Sequence, residues 1–267
     1  MTSIAATAKN FLITGAGRGI GRGLSRILLS GGHRVFLLDY DESELNNDAN
    51  LLGKTYQRGK DFDATVCDLR KPTELKTAVA SAGRLFGDKL DCLINNAAYT
   101  GGVGGMDLAD MTPEQWNRSI ETNLTAPMLM TQVSLGMLRA ARGCVVHMSS
   151  TRAFMSEPDN EAYSTTKAGL VGLTQSMAMS LAPDNVRVSC VLPGWIHVEN
   201  ECKAADEKGT PWEEGLGKED MKWQLTGTVG KVEDIARAVM YLADNDGVTG
   251  AEMVVDGGVT RKMVYPE

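Results

Sequence analysis

Short apolar runs alternating with longer helical patterns constrain this chain more than any other feature. Runs at 10–14 (NFLIT), 34–39 (RVFLLD), 63–68 (DATVCD), 90–95 (LDCLIN), 144–150 (CVVHMSS), 186–192 (VRVSCVL) and 252–256 (EMVVD) read as strands. Most are apolar at consecutive positions, as a strand covered on both faces must be. Helical patterns fall near 19–30, 72–86, 113–141, 162–182 and 232–243. Thr112-Pro113 with Gln115 three residues after the threonine predicts a capped helix start. The alternation implies right-handed βαβ crossovers and an α/β fold: a Rossmann-like, doubly wound parallel sheet of about seven strands with helices on both faces. No linker composition or repeat divides the 267 residues, so residues 1–267 read as a single dinucleotide-binding domain. The polar stretch 198–228 interrupts the alternation and is expected to be a substrate loop or lid.

Charge narrows the partners. A net charge of −7 argues against a nucleic-acid backbone or an anionic membrane as the main partner. The N-terminal MTSIAATAKN has no long apolar run, and no segment is long and apolar enough to span a bilayer. The cysteines, Cys67, Cys92, Cys144, Cys190 and Cys202, are odd in number and contain no CxxC. They read as small apolar residues in a reducing compartment, which places the protein in the cytoplasm. No metal site is expected.

TGAGRGIG (14–21) follows the first strand and opens the first helix, and an acid, Asp39, ends the second strand. Gly15 permits the tight turn, Gly19 lets backbone approach a pyrophosphate, and Gly21 lets helix and sheet pack closely. The helix N-terminus turns free N–H groups and a partial positive charge towards the phosphates. Asp39 can accept from both ribose hydroxyls and repels a 2′-phosphate, whereas Arg18 could pair with that phosphate. Asp39 outweighs Arg18, so NAD(H) is favoured and NADP(H) is the alternative.

AYSTTKAG (162–169) sets Tyr163 and Lys167 four residues apart, on one helix face. A phenol with a pKa of about 10 is a poor base, and a nearby ammonium lowers that value. Ser150 ends the fifth strand thirteen residues before Tyr163, Asn95 to Ala98 (NNAA) end the fourth, and Pro193-Gly194 follow the sixth. With the G-x-x-x-G-x-G loop and the closing VTGAEMVVDGG (248–258), this set resembles the short-chain dehydrogenase/reductase family along nearly the whole chain. The resemblance implies a nicotinamide-dependent oxidoreductase acting on a secondary alcohol or ketone, with Tyr163 as general acid/base. Ser150 would bond the substrate oxygen, Lys167 would tune the phenol and hold the nicotinamide ribose, and Asn123 would support a water and proton relay to the lysine. Gly15, Arg18, Gly19, Ile20, Gly21, Asp39, Asp68, Leu69, Asn95, Ala97, Pro193, Gly194 and Ile196 would contact the cofactor, with Tyr163 and Lys167.

Departures from the family pattern fall at Ala98, where glycine is usual, at Val198, where a threonine commonly binds the nicotinamide amide, and at His147, where an asparagine is frequent. His147 reads as a buried structural residue and His33 as a surface one. Thr151, Phe154, Trp195, His197 and Trp212 are candidates for lining the substrate pocket. Met-rich helices at 113–141 and 162–182 fit either core or the oligomer faces that the resemblance implies, as a homotetramer or homodimer. A reaction without net redox change (epimerase, dehydratase or cyclase) and a non-catalytic dinucleotide-binding protein remain open alternatives.

Overall fold

The computed structural model describes residues 8–101, 103–105 and 107–262. The N-terminal stretch read as free of a leader lies largely outside them. All seven expected runs form strands: β1 (Asn10–Thr14), β2 (Arg34–Asp39), β3 (Phe62–Val66), β4 (Cys92–Asn95), β5 (Cys144–Met148), β6 (Arg187–Pro193) and β7 (Glu252–Val255). They form one parallel sheet in the order β3-β2-β1-β4-β5-β6-β7. The chain leaves β1 towards β2 and β3, then returns to lay β4 on the other side of β1. That reversal opens a crevice beyond the carboxyl ends of β1 and β4, where open α/β sheets bind ligands.

Two cores explain why the strands are apolar throughout. Phe11, Ile13, Val35, Leu37, Cys92, Ile94 and Val146 pack with Leu24, Leu28, Ile235 and Val239 on one face. Leu12, Phe36, Leu38, Leu93 and Val145 pack with Leu75, Phe86, Met130 and Leu138 on the other. The first face is covered by α1 (Gly19–Ser30), α2 (Glu42–Leu52) and α8 (Val232–Asp244). The second is covered by α3 (Pro72–Phe86), the long helical stretch from 113 to 141 and α6 (Glu161–Leu181).

Helix α2 is absent from the sequence reading. Its mean polarity hides a stripe of Leu45, Ala49 and Leu52, and Asp41 caps its start by accepting from Glu44 N. His33 is a second correction. It is buried, its ring lies edge-on to Phe11, and its Nδ1 accepts from Lys9 N. The Gly31-Gly32 turn folds it inward, and burial lowers its pKa. His147 is buried as expected, and burial brings its pKa down to about 4, so it is neutral. Cys67, Cys92, Cys144 and Cys190 are buried free thiols, and Cys202 is partly exposed.

The stretch expected as one helix at 113–141 is three pieces: α4 (Pro113–Ile120), a π-helical turn (Glu121–Thr125) and α5 (Ala126–Ala141). Thr112 and Gln115 form the expected capping box. The interruption has a cause in the sequence. Pro127 has no N–H to give to the carbonyl of Asn123, four residues earlier, and its ring crowds that carbonyl. The widened turn sets the buried Asn123 against Tyr99: Oδ1 accepts from Tyr99 N at 2.6 Å, and Nδ2 donates to Tyr99 O at 3.1 Å and to Thr166 Oγ1 at 3.2 Å. Pro127→Ala should close the bulge into regular α-helix and withdraw Asn123 from Tyr99; a crystal structure of the variant that keeps the π turn and both contacts would show the proline is not the cause.

Candidate active site

A cleft of about 710 Å³ opens at the carboxyl end of the sheet, within the usual range for a small-molecule site. Gly15, Arg18, Gly19, Ile20, Asp39, Asp68, Leu69, Ala97, Ser150, Tyr163, Lys167, Pro193, Gly194, Trp195, Ile196 and Val198 all line it. Residues called from the glycine loop, five strand ends and one helix therefore share a single wall.

The glycine loop is shaped by what it excludes. Gly15 has φ 66°, and a Cβ on it would stand 2.7 Å from Ala97 Cα. A Cβ on Gly21 would overlap the Gly15 carbonyl, so Gly21 packs the helix start rather than lining the cleft. Gly17 N donates to Asp39 Oδ2 at 2.8 Å and Asp41 N to Asp39 Oδ1 at 2.9 Å. Burial pushes the Asp39 carboxyl above its ordinary range, and these backbone donors work against that rise. Arg18 is exposed at the N-cap of α1. Asp68 is clamped bidentately by Arg70, whose hydrogen bonds lower its pKa. Glycine backbone, the start of α1 and a carboxylate at the end of β2 suit the diphosphate and ribose of a dinucleotide.

Tyr163 and Lys167 lie on α6 and face the ends of β5 and β6. Lys167 is buried, with 3% of its surface exposed, and Nζ donates to Met148 O at 2.7 Å. It sits 5.3 Å from the centre of the Tyr163 ring. Ser149 Oγ donates to Lys167 O and fastens the helix to the strand end. Burial lowers the lysine to about 8. Tyr163 moves the other way: burial raises its phenol, while the Ser150 hydroxyl and the Arg152 charge pull it down. In the cofactor-free protein, burial thus outweighs the groups that lower the phenol. The ammonium lies over the ring and meets its π face.

Several called residues stand elsewhere. Asn95 is buried inside β4, with its amide near Pro127 O, Thr131 Oγ1 and His147 Nδ1, and does not reach the cleft. Its neighbour Asn96 does. Asn96 Nδ2 donates to Thr14 O and Gly15 O, while Thr14 Oγ1 accepts from Asn96 N and Ala97 N. Strand periodicity held the signal, since Asn95 is the last residue of β4 and Asn96 the first beyond it. Asn123 supports the cleft from behind rather than lining it. Of the substrate candidates, Trp195 lines the cleft, Thr151 is buried beside it and Phe154 is exposed outside it. His197 and Trp212 form an anchor instead: Trp212 Nε1 donates to His197 O, His197 Nε2 meets Glu214 O, and the rings stack edge to face at 5.6 Å. Tyr40, Arg70, Arg118 and Met148 line the cleft and were missed. Among the described residues no group of three His, Cys, Asp or Glu could hold a metal ion, and no helix is long and apolar enough to cross a membrane.

A phosphate-shaped loop beside a tyrosine, lysine and serine at the switch point defines a dinucleotide-dependent oxidoreductase class. The comparisons agree. The family profile described as enoyl-(acyl carrier protein) reductase matches residues 15–260. An uncharacterized oxidoreductase of Thermotoga maritima is 34% identical over 96% of this chain and 97% of its own length. Human dehydrogenase/reductase SDR family member 4 is 32% identical over 94% of this chain and 87% of its own. The crystal structure of a 3-ketoacyl-(acyl-carrier-protein) reductase of Brucella melitensis complexed with NADH superposes with a TM-score of 0.80, at 26% identity, over 94% of this chain and 98% of its own. The chain belongs to the short-chain dehydrogenase/reductase family and is an oxidoreductase of the alcohol/ketone type.

Lys167 makes a pH prediction with a definite sign. Its folded pKa of about 8 lies below the ordinary 10.5, so above pH 8 the folded state gives up a proton that the unfolded chain keeps. Relative to Lys167→Met, the parent should therefore gain stability as pH rises from 7 to 10, by roughly 2 kcal/mol. Chemical denaturation of both proteins across that range checks it; a parent that loses stability relative to the variant, or gains none, contradicts the buried ammonium.

Proposed function

We propose that the protein is an NAD(H)-dependent dehydrogenase/reductase of a secondary alcohol/ketone pair, working as one dinucleotide-binding unit, with Tyr163 as its general acid/base. The observation that carries this reading is the sharing of one cleft by Ser150, Tyr163 and Lys167 with the glycine loop and Asp39. When bound, the nicotinamide supplies or accepts the hydride. The chain supplies position and the proton. Gly15, Gly19 and the start of α1 receive the diphosphate, Asp39 the ribose hydroxyls, and Asp68 and Leu69 the adenine. Pro193, Gly194 and Ile196 flank the nicotinamide end. Val198 has no donor for the carboxamide.

Ser150 donates to the substrate oxygen as charge develops there. A phenol held above its ordinary pKa keeps its proton at neutral pH, so Tyr163 is set to protonate a carbonyl oxygen. Taking a proton from an alcohol needs the phenolate, which the charged Lys167 favours. Asn123, whose side chain is held by Tyr99 and Thr166, would support water behind the lysine through the backbone carbonyl that Pro127 leaves without its helical donor. Oxidation should accordingly speed up as pH rises above neutrality, and reduction should not.

The closing experiment is a screen of secondary alcohols and ketones by absorbance of the reduced cofactor. Tyr163→Phe should lower turnover about a thousandfold, within the usual span of a general acid/base, while NADH affinity changes less than about threefold. Retained activity in that variant removes the mechanism. Transfer of label from 4-labelled NADH to product excludes a binding-only protein. Calorimetry tests Asp39: NADH should bind more tightly than NADPH, and Asp39→Asn should narrow the difference. The exposed Met179 on α6 fits a homotetramer or homodimer built on that helix, which light scattering would read.

A further inference from the structure

The stretch 198–206 lies against the cofactor side of the cleft. Gly19 N donates to Glu201 O at 2.8 Å, and a Cβ on Gly19 would stand 3.8 Å from Val198 Cγ2. Two arginines of α1 hold this strap from beneath. The fully buried Arg22 donates from Nη1 to Gly17 O at 2.9 Å and pairs through Nη2 with Asp206. Arg26 bonds both oxygens of Asp206, at 3.2 and 3.1 Å, and stands 3.3 Å from Glu201 Oε2. From α2, Glu44 Oε2 accepts from Lys203 N at 2.7 Å, and Asp48 lies between the two arginines. One guanidinium thus grips the glycine loop at Gly17 and the strap at Asp206.

A joint between α1 and α7 (Lys203–Lys208) could have been apolar at far lower desolvation cost. Here two arginines face four carboxylates, Glu44, Asp48, Glu201 and Asp206, and burial pushes Asp48 and Glu201 above their ordinary range. Val198 and Gly19 line the same cleft, so the strap forms one wall of the space for the phosphates.

We infer that Asp206, gripped by Arg22 and Arg26, is a positioning residue for the cofactor: it latches the 198–206 strap to the glycine loop, and the dinucleotide leaves when that latch opens. This rests on the dinucleotide reading above. Breaking charged pairs that are shielded from solvent acts mainly on dissociation, so the latch sets residence time more than capture.

The test is stopped-flow dissociation of NADH from the full chain, with hydrogen exchange followed at 199–208. Asp206→Asn should speed exchange in that segment and raise the NADH off-rate about tenfold, with the on-rate within about threefold. Asp206→Glu should recover most of the residence time. A loosened strap with an unchanged off-rate overturns the inference, as does a strap whose exchange does not change. Should Asp206→Asn fail to fold, Glu44→Gln weakens the same strap from α2 and is read by the same two criteria. If the parent binds neither NADH nor NADPH, the dinucleotide reading falls and the latch with it; binding with an indifferent off-rate removes the latch alone.

Discussion

Four hydrogen bonds between Thr14–Gly15 and Asn96–Ala97 hold the crevice on which everything else depends. They join the ends of β1 and β4 where the winding of the sheet reverses. Without them the glycine loop could fold down over the strand ends and satisfy its own backbone groups. With them, the Gly15 carbonyl is engaged from the β4 side, Gly21 has room only for hydrogen, and the first turn of α1 faces the strap at Val198 and Glu201. Thr14 can do this because a hydroxyl accepts twice from one position, and Asn96 because an amide donates twice.

Helix α6 carries the opposite arrangement, a group kept where it is unfavourable. Lys167 is buried, with one backbone carbonyl as its hydrogen-bond partner, and its position relative to Tyr163 is fixed by Ser149 from the neighbouring strand end. Structural stability at that point would favour an apolar side chain. The fold tolerates the ammonium because the two cores flanking the sheet are complete without it. Asn123 is supported in a similar way, by a proline that withdraws one helical hydrogen bond.

Most of the fold was legible, because apolar runs covered on both faces and alternating with helical segments are the pattern of a parallel sheet. β1, β2, α1 and α3 fall on their expected bounds to the residue. α2 escaped because its apolar stripe is thin and its Asn and Asp content reads as loop. The site was legible as chemistry but less so as placement. Ser150, Tyr163, Lys167 and Asp39 share the cleft, yet Asn95 stands one residue short of it, and His197 and Trp212 pack on each other. Sequence spacing reports which residue types recur; it does not report which way a side chain turns at a strand end, nor which distant carboxylate neutralises Arg22. The direction of the Tyr163 shift was hidden for the same reason, since desolvation depends on the assembled walls.

The wall at Val198 to Asp206 also has a consequence in time. The glycine loop lies at residues 14–21, and the strap that faces it follows some 180 residues later, as the separation of 184 between Arg22 and Asp206 records. A ribosome delivers the first long before the second. A half-made chain therefore exposes the loop with no opposing wall and with Arg22 facing only the acids of α2. The loop and the wall that faces it are therefore joined only after residues 198–206 have been made, well after the loop's own strand and helix.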